Sequence, residues 1–356
     1  MMRVICKEHI EKSSVSNILV RATNWVGDMV ISLPALEAIR DNFPESKIAV
    51  IARPWVIPLL ERHHVADKII PLRKGRGYFT DLLEVIRVAG MLRRMRFDMA
   101  ILFQNAFEAA FLAYLGRVRF RVGYNTDGRG FLLTHKIIRD DSILRLHQAE
   151  YYLSILRAME WEAENRNPSL TVGEEDMESI HSLLISGGIG RDDILVGLSP
   201  GAIYGPAKRW PPERFAVIGD WAEEKWGAKV VIMGSGGEQE ICELLAEAMK
   251  YTPLNLCGET SLGQAAALIK RCQFFVTNDS GLMHVAAALS VPMVAIFGST
   301  DHVATGPLSS TAKIVRNNVD CAPCLKPECN RDFGCMLGIR PEDVWNELEM
   351  LKATYK

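Results

Sequence analysis

Four stretches of this 356-residue chain carry side chains able to do acid–base, anion or metal chemistry. In Arg21-Ala22-Thr23-Asn24-Trp25-Val26-Gly27-Asp28 an apolar run gives way to the helical pattern MVISLPALEAIRDNF. Gly27 would permit a tight turn there, and Asp28 would either cap the helix or offer its carboxylate to a ligand. Ser199-Pro200-Gly201-Ala202 ends another apolar run, and Gly205-Pro206-Ala207-Lys208-Arg209-Trp210-Pro211 opens the helix after it. Lys208 and Arg209 beside glycine-rich backbone combine cations with N–H donors, as a diphosphate requires, although exposed Lys-Arg pairs are most often simply solvated.

The third stretch is Asn278-Asp279-Ser280-Gly281-Leu282-Met283-His284. It stands between the apolar runs Phe274–Val276 and VPMVAIFG and reads as strand, phosphate-sized turn, helix, strand. Ser280 and His284 lie four apart and share a helix face. A carboxylate pressed against a diphosphate would be repelled, so Asp279 is expected to cap the helix or hold sugar hydroxyls, leaving the phosphates to backbone N–H groups. The fourth is Cys321-x2-Cys324-x4-Cys329-x5-Cys335. Four thiols within fifteen residues allow a structural zinc site, reduced thiols or a labile disulfide, and the spacing does not choose among them.

The elements that must position these groups alternate. The first half reads Ile18–Arg21, Met29–Asn42, Ile48–Ala52, Ile69–Leu72, Thr80–Met95 and Met99–Phe103. The second restarts with Ile194–Leu198, Phe215–Lys225, Lys229–Met233, Glu238–Met249 and Leu262–Lys270. Such βαβ alternation predicts parallel sheets covered by helices on both faces, hence an α/β protein of two doubly wound, Rossmann-like domains with ligands in the cleft between them. The boundary is expected at 165/166, in the turn-forming Asn165-Arg166-Asn167-Pro168. The amphipathic tail from Pro341 is expected to pack across the junction, against the first domain.

Composition narrows the function. A hydrophobic fraction of 48%, a charged fraction of 24% and a formal net charge of −2 describe an ordinary globular protein and disfavour a nucleic-acid coat. No apolar run approaches the roughly 20 residues that span a bilayer, and residues 1–17 lack a signal-peptide core, so a cytoplasmic location is expected. The first turn has one glycine, no G-K-[ST] phosphate loop occurs, and Gly234-Ser235-Gly236-Gly237 lacks the dinucleotide spacing. Of two basic clusters, Arg93-Arg94-Met95-Arg96 ends a helix and suits its dipole. Arg73-Lys74-Gly75-Arg76, in a loop, could meet an anionic acceptor.

Taken together, the NWVGD, GPAKRWP and NDSGLMH segments and the cysteine tail resemble the ADP-heptose:lipopolysaccharide heptosyltransferases, glycosyltransferase family 9. The resemblance spans nearly the whole chain and implies the GT-B fold. It implies an acceptor-binding domain over 1–165 and an ADP-sugar-binding domain over 166–340. Asp28 would be the general base and Lys208 would neutralise the diphosphate. Pro200, Gly201, Ala202, Arg209, Glu238, Asp279, Ser280, Gly281, Leu282 and His284 would line the donor pocket, with Asn24, Trp25, Gly27, Arg53, Lys74 and Arg76 on the acceptor side. The implied partners are ADP-heptose, a heptosylated Kdo–lipid A acceptor and, transiently, the cytoplasmic face of the inner membrane. No catalytic cofactor is implied, with zinc structural if bound. A nucleotide-sugar 2-epimerase and a non-catalytic nucleotide-sugar binder are the competing readings.

Overall fold

The computed structural model describes residues 3–73 and 78–355. The chain divides into two compact units, Met1–Pro168 and Ser169–Lys356. In the first, seven strands form one sheet: β1 (Val4–Ile5), β2 (Asn17–Arg21), β3 (Lys47–Ala52), β4 (Lys68–Pro71), β5 (Met99–Leu102), β6 (Phe120–Tyr124) and β7 (His135–Ile137). Their order is β1-β7-β6-β5-β2-β3-β4. Every pairing is parallel except β1 with β7. The second unit contains β8 (Leu195–Ser199), β9 (Lys229–Ile232), β10 (Leu254–Asn255), β11 (Phe274–Asn278), β12 (Met293–Phe297) and β13 (Ala312–Arg316), ordered β10-β9-β8-β11-β12-β13 and wholly parallel.

Both parallel arrays follow the doubly wound order, with the strand direction of travel reversing between β2 and β5 and again between β8 and β11. Ligands of such sheets sit beyond the carboxyl ends of the strands at that reversal. Because helices cover both faces, the central strands are apolar along their whole length: Ile18, Leu19 and Val20 in β2 and Phe275 and Val276 in β11 are at most 1% exposed. The sequence stretch expected as a single helix from Met29 to Asn42 is two, Val26–Ile31 and Leu33–Asn42, meeting at Ser32. Pro34, which has no N–H to continue a ladder, falls in the first turn of the second, where none is needed.

The helix Pro341–Thr354 gives its apolar face to the second unit. Its buried residues Val344, Trp345, Leu348 and Leu351 join the core of the second unit. Trp345 lies 4.6 Å from Trp226 and 5.8 Å from Trp221, ring centre to ring centre.

Candidate active site

At the reversal point of the first sheet, β2 ends on Arg21, a guanidinium at 1% exposure. It donates to Ala22 O at 2.6 Å and to Asn24 Oδ1 at 2.9 Å, and lies 3.6 Å from Glu108 Oε1. Arg53, at the end of β3, reaches Glu108 Oε2 at 3.3 Å and Leu72 O at 3.1 Å. Burial pulls the Arg21 guanidinium down to about 10 while the Glu108 carboxylate opposes the fall. Beyond β5, the buried Arg129 donates to Gln104 O, to Asn105 Oδ1 at 2.9 Å and to Tyr124 O at 3.0 Å, and burial brings it likewise to about 10.

Asp28 falls in the first turn of the helix Val26–Ile31 and is not its cap, which is Trp25. Gly27, expected to make a tight turn, is the second residue of that helix. Asp28 stands near Tyr152, whose fully buried phenol is pushed well above its ordinary value first by burial and then by that carboxylate. Asn24 accepts from the Trp55 indole at 2.8 Å through its backbone oxygen, and Trp25 is exposed. Lys74 and Arg76 lie outside the described residues.

In the second sheet the groups expected around a donor do come together. Lys208 Nζ is 2.6 Å from Asp279 Oδ2, with the two side chains 13% and 4% exposed. Thr300 donates to the same oxygen at 2.5 Å. The expectation that Asp279 caps the following helix is therefore corrected. Ser280 is the cap of Gly281–Ala288, accepting from Met283 N at 3.4 Å. A serine fits that role because its short hydroxyl reaches the free N–H groups of the first turn, and the Asp279 carboxylate is engaged elsewhere.

Asn278 ties the site to its sheet, accepting from Trp210 N at 3.0 Å and donating to Pro200 O at 2.7 Å. Trp210 is itself fully buried, its indole donating to Ile339 O at 3.0 Å. Arg209 folds back onto Ala202 O at 3.2 Å. Glu238 accepts from Ser235 N and Oγ at 2.8 and 2.7 Å, and a Cβ on Gly201 would come within 2.0 Å of its carboxylate, so only glycine fits that position as it stands. Leu282 is half-buried and His284 buried.

The comparisons with known proteins place the chain as a whole. Residues 85–333 match the model of glycosyltransferase family 9 (heptosyltransferase). The lipooligosaccharide heptosyltransferase 2 of Haemophilus ducreyi is 34% identical, over 94% of this chain and 99% of its own. The lipopolysaccharide heptosyltransferase 2 of Salmonella typhimurium is 32% identical, over 94% and 98%. The structure of Escherichia coli ADP-heptose LPS heptosyltransferase II superposes with a TM-score of 0.82 at 29% identity, covering 95% of this chain and 99% of that one. The chain belongs to glycosyltransferase family 9.

It is thus an enzyme with the GT-B fold of two doubly wound units, as its sequence led us to expect. In this glycosyltransferase the cysteine segment serves the second sheet through its backbone. Ala207 N donates to Pro327 O at 2.9 Å, Tyr204 Oη to Leu325 O at 2.7 Å and Leu325 N to Ser299 O at 2.8 Å. Burial raises the Cys335 thiol, and Cys321, Cys329 and Cys324 raise it further, so the four are neighbours. Even so, among the described residues no group of three or more His, Cys, Asp or Glu converges as a metal site.

Several residues of the site escaped the sequence reading. Arg21, Glu108, Asn105, Arg129 and Thr300 each gain their role from a partner distant in sequence. Only Arg21 gave a signal, as a charged residue directly after the apolar run Ile18–Val20.

Proposed function

We propose that this protein is an inverting glycosyltransferase that moves heptose from ADP-heptose to the heptosylated Kdo–lipid A inner core, working at the cytoplasmic face of the inner membrane. The observation that carries the reading is the Lys208–Asp279–Thr300 cluster at the reversal point of the second sheet, beside the capped start of Gly281–Ala288. The ammonium is already held in place, and a diphosphate would meet it by competing with the Asp279 carboxylate. The relatives named heptosyltransferase 2 favour the second heptose transfer over the first or third.

The reaction is a single displacement. The acceptor heptose hydroxyl attacks the anomeric carbon, forming a C–O bond as the bond to the β-phosphate breaks, and Asp28 takes the hydroxyl proton. ADP departs with the electron pair, and its growing charge is met by Lys208 and by the N–H groups at the start of Gly281–Ala288. A diphosphate so neutralised is a good leaving group, so a second carboxyl acid is not required. Arg53, Asn24, Trp25 and Gly27 serve the acceptor, while Pro200, Gly201, Ala202, Arg209, Glu238, Ser280, Leu282 and His284 line the donor pocket.

Incubation with ADP-heptose and a monoheptosylated Kdo–lipid A acceptor should add one heptose, read as an increase in acceptor mass. No gain on that acceptor, with gain on the unheptosylated one, would reassign the enzyme to the first transfer.

A further inference from the structure

The charge of the chain is unevenly spread. Residues 73–139 contain thirteen Lys and Arg against five Asp and Glu, a net +8, while the rest of the chain carries 28 against 38, a net −10. This basic segment builds one helical layer of the first unit. The helices Tyr78–Met95 and Phe107–Leu115 pack on the same face of the sheet, burying Val85, Val88, Ala89, Leu92, Ala110, Leu112 and Ala113 against it. Arg93 Nε fastens one helix to the other through Leu115 O at 2.6 Å.

The outer side of that layer is apolar where solvent would favour polar residues. Leu82, Leu83 and Ile86 are exposed along the first helix, Leu83 at 65%. Phe107, Phe111 and Tyr114 form a stripe at i, i+4 and i+7 on the second, and Phe131 extends it at 74% exposure, 6.1 Å from Phe107 between ring centres. Cations lie at the far end of the same two helices: Arg93, Arg94, Arg96, Arg117 and Arg119 are exposed, and the Arg121 guanidinium lies 5.6 Å from the Tyr114 ring centre. Leu82, Phe107 and Phe131 also stand near the starts of segments following β4, β5 and β6, hence toward the carboxyl edge of the sheet that holds Asn24 and Trp25.

We propose that this outer face docks the enzyme on an anionic phospholipid bilayer, with Leu83, Phe107 and Phe131 entering the interface and the arginines meeting lipid phosphates. Exposed aromatic and aliphatic side chains with cations at the other end of the same helical layer fit that surface, because each apolar group gains by leaving water and each cation near the lipid charge adds attraction. A partner of protein alone would leave these exposed arginines uncompensated unless it were strongly acidic. The proposal rests on the reading that the acceptor is lipid-anchored, and it identifies the face presented to that lipid.

The test uses the full chain with vesicles of phosphatidylethanolamine and phosphatidylglycerol (7:3) and with phosphatidylcholine vesicles, in a flotation assay. Wild-type protein should bind the anionic vesicles, weakening as salt rises, and should bind phosphatidylcholine poorly. The exposed-site double variants Leu83→Ser with Phe131→Ser, and Arg94→Glu with Arg117→Glu, should each lose about tenfold or more in anionic-vesicle binding. On a deacylated, water-soluble acceptor both should turn over like wild type. Absence of anionic-vesicle binding by wild type, unchanged binding by both variants, or self-association through this face in place of vesicle binding would overturn the proposal. Failure of wild type on the soluble acceptor would instead count against the transfer reaction itself.

Discussion

At the carboxyl edge of the first sheet two arginines, Arg21 and Arg53, share the single carboxylate of Glu108, and Arg129 is held by carbonyl and amide oxygens. At the same edge of the second sheet one ammonium, Lys208, is matched by one carboxylate, Asp279. The strand order around both points is alike, so topology does not create the difference. Side chains at the strand ends do. In the proposed function, the first edge keeps surplus positive charge in a rigid frame to orient an anionic acceptor beside Asp28, and the second keeps its cation neutralised until an anionic donor competes for it.

The sharpest way to break this division is to remove one function from each edge. Asp28→Asn keeps the size and hydrogen-bonding capacity of the side chain but cannot take a proton, so transfer should fall by about 10²–10⁴-fold with thermal unfolding unchanged. Near-normal turnover would remove Asp28 as the base. Lys208→Met should also cost stability, because Asp279 is left buried with its cation gone, on the order of 3–5 kcal/mol in denaturant unfolding. Adding Asp279→Asn should restore most of that stability and none of the activity. If the double variant regained transfer, the ammonium would not be what stabilises departing ADP.

Smaller effects sharpen the contrast. Glu108→Gln removes the counter-charge shared by Arg21 and Arg53 while keeping its shape, and should destabilise the protein by about 1 kcal/mol, Glu108 being partly exposed. Thr300→Val deletes one hydrogen bond to Asp279 and should raise the donor KM several-fold with kcat nearly constant, whereas Thr300→Ser should behave as wild type. A kcat effect of equal size in both Thr300 variants would show that the hydroxyl does more than hold the carboxylate.

Much of this was legible in the sequence, for reasons visible in particular residues. The apolar runs of β2, β3, β5, β8, β9 and β11 are continuous because both sheet faces are covered, so alternation with helices exposed the doubly wound plan. β6 and β7 were missed. Phe120–Tyr124 carries Arg121 and Gly123, and His135–Ile137 is three residues long, so neither shows an apolar run of strand length. Asp279 was left open as a cap or a sugar ligand because local rules rank Asp and Ser alike as caps. The choice between them was made by Lys208, 71 residues away, and by Thr300. Arg129 and Asn105 meet only once the sheet has formed, and no spacing rule links them.

The division of labour between the two edges is tested most directly by titrating ADP into purified Asp28→Asn and Lys208→Met and comparing each with wild type by calorimetry. Asp28→Asn should bind ADP with wild-type affinity, because its carboxylate acts only on the acceptor, and Lys208→Met should bind at least tenfold more weakly. Equal affinity for wild type and Lys208→Met, or a comparable loss in Asp28→Asn, would contradict the assignment of base to the first edge and donor cation to the second.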